Sequence, residues 1–282
     1  MDQETLRKVQ LTLLEIALEF KRVCNILRLN FFLDSGTLLG AVRHKGFIPW
    51  DDDFDVGMLR KDYECFIEKA QELLHPDFFL QTWDTDKNYG LPFAKLRMRN
   101  TVYIEEVAQK TKAENGFYLD IFPYDVYPTK KMQRIIQGLT VNCIRRAILI
   151  KDGYQPWLND TGGKRTVKKL GYIPLRLYAF FHKKESLIRK YEKDCTKFNS
   201  ESTGFLYEQA GASNYGKWVI PCSCLTETID LVFENTEFSC PAGYDEYLKA
   251  VYGDYMKLPP VEQRYNRHRI IKVQFKVNKD HE

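Results

Sequence analysis

The sequence predicts an α+β fold in which one mixed β-sheet is flanked by helices. Three observations point there. Long stretches repeat apolar residues at steps of three and four, the spacing of a helix with one buried face. Short aromatic or β-branched runs, punctuated by Asp, Asn, Gly and Pro, follow one another in the first half. The chain has 282 residues, of which 44% are hydrophobic and 28% charged. That is a globular composition, long enough for one large domain or two small ones with a core needing no disulfide support.

Taken in order, the first helix is marked by Leu6, Val9, Leu13, Ile16, Ala17, Phe20, Val23 and Leu27 on one stripe. An apolar strand at 31–33 then stops at the small polar turn Ser35-Gly36-Thr37, which opens a short helical stretch over 38–43. A second strand carries Asp53 and Asp55. Arg60-Lys61-Asp62 begins the next helix, with Tyr63, Phe66, Ile67, Ala70 and Leu74 on one face, and His75-Pro76 ends it. Strands over 78–83, 93–99, 102–106 and 117–122 join the first two in one mixed sheet. From Thr129 the character changes. Met132, Ile135, Ile136, Leu139, Val141, Cys143, Ile144 and Ile148 predict a long helix, followed by a Gly/Pro/Asn/Asp loop over 151–163 that reads as a seam or mobile lid. The last part has a strand-like 218–220, a hairpin of 229–233 with 238–240 around Asn235, and a helix over 244–251. The expected division is a catalytic core at 1–128, a helical basic segment at 129–210, and a C-terminal α/β portion at 211–282 packing back on the core.

The chemistry concentrates between Asn30 and Met58. Alternate residues of a strand share a face, so Asp53 and Asp55 emerge on one side, joined by Asp51 if the strand begins early. Carboxylates so placed repel one another unless a cation sits between them, and Mg²⁺ or Mn²⁺ prefers such oxygens. The plainer reading is a solvated acidic turn after Pro49. Asp55 stands against it, because it lies between Phe54 and Val56, where an uncompensated charge is costly. The helix start at Ser35, Gly36 and Thr37 offers free N–H groups to a phosphate. Arg43 flanks the loop returning to the aspartates, and Lys95 and Arg97, two apart on a strand, share a face suited to phosphate oxygens. The alternative for Lys95 and Arg97 is exposed cations on an edge strand. Asp120 sits inside the apolar run Phe117-Tyr-Leu-Asp-Ile-Phe122 and needs a partner there. Either a turn before Pro123 or an ion pair with Arg97 would satisfy it structurally, and Asp125 is its nearest competitor for a functional role.

The stretch Leu33-Asp-Ser-Gly-Thr-Leu-Leu-Gly-Ala-Val-Arg-His-Lys-Gly-Phe-Ile-Pro-Trp-Asp-Asp-Asp-Phe-Asp-Val-Gly-Met58 resembles the signature of the LicD family of phosphocholine transferases, which includes fukutin-related ribitol-phosphate transferases. Lys95-Leu96-Arg97, Leu119-Asp120-Ile121-Phe122-Pro123, and Tyr252-Gly253-Asp254-Tyr255-Met256 through Pro259-Pro260 extend the likeness over nearly the whole chain. The resemblance implies a nucleotidyltransferase-like sheet. It also implies a divalent metal held by Asp53 and Asp55, with Asp120 completing the site or accepting the proton of the attacking hydroxyl. One departure is the wide gap between Ser-Gly-Thr and Asp53, which bears on the phosphate role of Ser35 and Thr37.

Composition bounds the rest. The N-terminus begins Met-Asp-Gln-Glu with no basic or apolar leader pattern, and no window approaches a membrane span. Seven cysteines, an odd number scattered in apolar patterns, suit free thiols in a reducing compartment, so the expected location is cytoplasmic. Cys222, Cys224 and Cys240 do not have the spacing of a recognised zinc site. Residues 164–197 carry eleven Lys and Arg against Glu185, Glu192 and Asp194, a net +8 where the whole chain is +4. With the aromatic run over 172–181 this basic segment reads either as a core helix with a charged face or as a peripheral contact with an anionic membrane surface. No nucleic-acid module is recognisable. The basic ending Arg264-Tyr-Asn-Arg-His268-Arg-Ile reads as a lining of the cleft, with His268 either a catalytic group or, as is more usual for a lone His near a terminus, structural or exposed.

By resemblance, the expected reaction moves phosphocholine or a similar substituted phosphate from CDP-choline or a related CDP-linked donor to a sugar hydroxyl. The acceptor would be a teichoic-acid-like, lipopolysaccharide or other cell-surface glycan precursor on a lipid carrier, and CMP would be released. Two alternatives remain at this point: a nucleotidyltransferase releasing pyrophosphate from a nucleoside triphosphate, and a non-catalytic glycan-binding assembly subunit.

Overall fold

The computed structural model describes residues 1–155, 162–208, 215–216, 218–266 and 268–276. Residues 156–161, the middle of the loop read as a seam or lid, lie outside them, as do residues 214 and 267 of the C-terminal segments.

The chain opens on α1 (Gln3–Leu27), started by Asp2, whose carboxylate accepts a hydrogen bond from the Thr5 N–H at 2.8 Å, and ended by Arg28 in the left-handed region. Its stripe Val9, Leu13, Ile16, Phe20 and Val23 is fully buried. Next come β1 (Phe32–Leu33), α2 (Ser35–His44), β2 (Asp55–Leu59) and α3 (Arg60–Leu73). The strands β3 (Phe78–Gln81), β4 (Ala94–Met98), β5 (Val102–Glu105) and β6 (Tyr118–Val126) follow. Helices α4 (Lys131–Lys151), α5 (Gly162–Gly171), α6 (Ile173–Phe181) and α7 (Lys184–Thr196) fill the middle. The last part holds β7 (Phe205–Glu208), β8 (Val219–Pro221), α8 (Cys222–Leu225), β9 (Thr228–Phe233), β10 (Thr236–Pro241), α9 (Tyr244–Tyr252) and β11 (Ile270–Gln274).

The central sheet is seven-stranded and runs β1-β2-β6-β4-β3, with β7 and β8 added along the far end of β6. Among the described residues only β2 and β6 pair in parallel. The fold is therefore the expected mixed sheet flanked by helices. β6 runs longer than the 117–122 segment and continues through Pro123. Proline lacks an N–H, but amides along a strand face alternate sides. Asp120 donates toward β2, to the Phe54 carbonyl at 3.0 Å, so position 123 faces the other side, between the end of β4 pairing at Ile121 and the start of β7 pairing at Tyr124. The missing donor falls in a gap.

The 102–106 strand departs from expectation. Both sides of β4 are occupied, by β3 and β6, so β5 has no place beside it in the central sheet and pairs instead with β11. The strand expected to carry both Asp53 and Asp55 begins only at Asp55. The hairpin β9–β10 and helix α9 form where the pattern put them.

Two apolar cores result. In the larger, α1 and α3 pack on the sheet and on each other, and Phe54, Phe233 and Phe238 join it from the C-terminal hairpin side. In the smaller, Val141, Ile144 and Ile148 of α4 meet Ala179 of α6 and Leu187, Tyr191 and Cys195 of α7. Among the described residues no helix is long and apolar enough to cross a membrane.

Candidate active site

The chain turns from β1 into α2 at Asp34, which caps the helix by accepting from the Ser35 N–H at 2.7 Å. Asp34 is 1% exposed and also accepts from the hydroxyls of Tyr124, at 3.0 Å, and Tyr247. Burial raises its pKa, and these donors act in the opposite direction. Ser35 takes a left-handed φ of 46°. Gly36 follows, and a Cβ there would stand 2.9 Å from an oxygen of Asp51, so the absence of a side chain lets the acidic loop close onto the helix start.

Two hydrogen bonds then tie this turn to Asp55. The Asp34 N–H donates to the Asp55 carbonyl at 3.0 Å, and the Asp55 N–H donates to the Thr37 hydroxyl at 2.9 Å. In the parallel pair, Asp55 stands directly opposite Asp120. Across the antiparallel pair on the other side, Asp120 stands opposite Lys95. Three neighbouring strands thus place two carboxylates and an amine in one row. Lys95 Nζ lies 2.6 Å from Asp120 Oδ1 and 3.3 Å from the centroid of the Tyr118 ring, whose hydroxyl donates to Glu105 at 2.5 Å. Burial pushes the Lys95 amine down and the Asp120 carboxyl up, and each partner works against that shift in the other.

Asp55 differs from its neighbours. Its carboxylate has no hydrogen bond or ion pair among the described residues. Burial and then the charges of Asp53 and Asp120 hold its pKa well above the usual carboxylate range. Asp51 is raised in the same way by burial and by Asp53 and Asp52. Asp53 is raised by burial, with His268 acting against that shift. His268 Nε2 lies 3.8 Å from Asp53, and its Nδ1 lies 2.9 Å from Asp52, which is 1% exposed and also accepts from Tyr103 at 2.5 Å. Burial works against the imidazolium, but Asp52 and Asp53 outweigh it and push the His268 pKa up to about 10.

Asp53, Asp55, Asp120, Ser35, Gly36, Arg43 and Lys95 line one cavity of about 1190 Å³. Thr37 and Arg97 do not. The Thr37 hydroxyl is spent on the Asp55 N–H, and the Arg97 guanidinium donates to Gln81 Oε1 and to the Gly116 carbonyl, each at 2.5 Å, within the core. Arg43 lines the cavity while donating to the Tyr255 carbonyl at 2.7 Å. Asp125 is absent from the lining; it pairs with Arg60 through both oxygens and accepts from Asn199. The lining also carries Trp50, Tyr252, Tyr255 and Tyr265.

Sequence reasoning gave no role to Asp34 or Asp52, whereas the basic ending expected to line the cleft does so through Tyr265 and His268. For Asp34 a signal exists, since Asp directly before a helix start is a capping residue. For His268, what the sequence does not show is its partner Asp52, which lies 216 positions away.

The donor set fits a hard divalent cation in its chemistry. It holds carboxylate oxygens in a cavity, one of them unpartnered and repelled by its neighbours. Among the described residues no three Asp, Glu, His or Cys side chains form a ready cage. Mg²⁺ is commonly held by one or two carboxylates together with substrate phosphates, and Asp53 and Asp55 are the residues that would supply such a pair here.

Residues 28–137 match the family model described as LicD/FKTN/FKRP, nucleotidyltransferase domain. Over 282 aligned residues, 95% of this chain and 97% of the relative, the sequence is 31% identical to the lipopolysaccharide cholinephosphotransferase LicD of Haemophilus influenzae. A stretch of 107 residues, 36% of this chain and 39% of the relative, is 29% identical to an uncharacterised protein of Rickettsia prowazekii. The likeness to the Haemophilus protein covers nearly the whole of both chains, and the chain belongs to the LicD family.

Proposed function

We propose that this protein transfers phosphocholine, or a similar substituted phosphate, from a CDP-linked donor to a sugar hydroxyl of a lipopolysaccharide-type or other cell-surface glycan precursor. The observation that carries this reading is the unpartnered Asp55 carboxylate in the same cavity as Asp53, Asp120 and Lys95. Full-length similarity to a cholinephosphotransferase supports it.

In the reaction the sugar oxygen bonds to the phosphorus of the transferred group, the bond from that phosphorus to the bridging oxygen breaks, and CMP leaves with the electron pair. Asp53 and Asp55 would hold a divalent cation, which when bound would neutralise charge on the diphosphate. Asp120 accepts the hydroxyl proton in this scheme. Lys95, 2.6 Å away, opposes the effect of burial and favours the ionised carboxylate. Arg43 and the His268 imidazolium, both on the cavity wall, offset charge on the departing nucleotide. The aromatic lining of Trp50, Tyr252 and Tyr265 offers ring faces to a quaternary ammonium. A hydroxyl is a weak nucleophile at neutral pH, so positioning supplies much of the rate.

The test is incubation of purified protein with Mg²⁺, CDP-choline and lipid-linked glycan acceptors. The expected outcome is CMP release with phosphocholine mass added to the glycan. Pyrophosphate from a nucleoside triphosphate without CMP release from CDP-choline would overturn the reading.

A further inference from the structure

We infer that α5 and α6, with the adjoining face of α4, form a docking surface for an anionic lipid bilayer, lying in the plane of the membrane interface. The inference stands on the helical segment alone and does not depend on the transfer reaction.

Residues 162–181 contain five Lys and Arg and no Asp or Glu. Helix α5 is exposed along its whole length and carries Val167 and Leu170 among Lys164, Arg165, Lys168 and Lys169. On α6 only Ala179 is fully buried, while Phe180 and Phe181 are 77% and 76% exposed. Ile173, Leu177, Phe180 and Phe181 recur at four, three and one positions, a single stripe facing away from the small core. Helix α4 is apolar on two sides. Val141, Ile144 and Ile148 enter that core, whereas Met132, Ile135, Ile136 and Leu139 are exposed. Ile135 and Leu139 also line a groove of about 820 Å³ against Pro174, Leu175 and Tyr178, with Arg134 and Arg146 in its lining. Across that groove the exposed side of α4 borders α6.

The chemistry of that surface selects the occupant. Large aromatic and aliphatic side chains exposed in water are unfavourable unless something covers them. Cores of protein–protein interfaces are depleted in lysine, but here lysine and arginine are interleaved with the apolar side chains. A basic helix with phenylalanine and leucine on its other side suits an interface of negatively charged headgroups above acyl chains. The absence of any acidic residue over twenty positions gives the charge complementarity.

The test uses the full-length protein and vesicles of phosphatidylcholine with or without phosphatidylglycerol, read by co-sedimentation. Wild type is expected to pellet with the phosphatidylglycerol vesicles, to be released from them in high salt, and to stay in the supernatant with pure phosphatidylcholine vesicles. Two variants of exposed residues are compared, with circular dichroism and thermal unfolding to confirm that they fold. F180S/F181S and K164Q/R165Q/K168Q/K169Q should each weaken binding by about tenfold or more. Failure of wild type to bind, equal binding to both vesicle types, or unchanged binding by both variants would overturn the inference. So would a dimer in solution that the same variants dissociate, since a second copy would then be the cover.

Discussion

At Asp55 the backbone enters β2 and the side chain enters the cavity without a partner, between Asp53 and Asp120. A carboxylate held that way destabilises the cation-free fold and favours cation binding. Asp55→Asn should therefore abolish transfer, by about 10²–10³-fold, while leaving the metal-free protein as stable as wild type or roughly 1 kcal/mol more so. Thermal unfolding with and without Mg²⁺ checks this, because only wild type should gain stability from the ion. Arg97 makes the contrast. It serves two buried acceptors as a fork, so Arg97→Lys should lose about 1–3 kcal/mol of stability while kcat at low temperature stays near wild type. Alternation along a strand put Lys95 and Arg97 on one face, and both do lie near the Tyr118 ring. That reasoning could not show that the guanidinium reaches deeper, to Gln81. Strand periodicity shows which face a side chain leaves from, and its terminal atoms go wherever partners from other segments wait.

The elements themselves were legible where one face alone is buried, as in α1, α3 and the β9–β10 hairpin. They were less legible where distant segments decide the pairing. Residues 51–54 leave the strand pattern because the Asp52 carboxylate is drawn to Tyr103 and His268, neither of which is local. β5 looked like a sheet strand and is one, but its partner β11 comes from the far end of the chain. The hairpin is pinned to α1 by another distant pair. Glu234 accepts from Arg7 at 2.6 and 2.9 Å and from the Phe47 N–H at 3.3 Å, and these contacts hold its pKa below the usual range. A depressed folded-state pKa gives stability that is present above the unfolded value, near 4.5, and lost as pH falls through the folded value. Glu234→Gln should thus cost roughly 1 kcal/mol at pH 7, and the gap to wild type should close in acid. Urea unfolding at both pH values measures it.

At the scale of the whole molecule, the cavity is closed by segments that begin and end the chain. Its lining takes acidic residues from 34–55 together with Glu105 and Asp120, and a C-terminal wall of residues 252–268 completes it, joined to the first segment by the Arg43 bond to Tyr255 and by the Asp52–His268 pair. The family model ends at residue 137, so this wall lies beyond the part it describes. His268 is the tie that can be titrated. Its folded pKa, about 10, lies above the ordinary 6.5, so its contribution is complete below pH 6.5 and declines as pH rises through 10. His268→Gln removes that dependence. Compared in EDTA, wild type should lose roughly 1–2 kcal/mol relative to His268→Gln between pH 6.5 and pH 10, less than the full shift implies because solvent screens the ring. The side chain is 35% exposed. Denaturant unfolding at the two pH values reads the difference directly. A constant gap between the two proteins would mean that the C-terminal wall is held by packing around Tyr255 and Phe275 and not by the charge that Asp52 and Asp53 share with the imidazole.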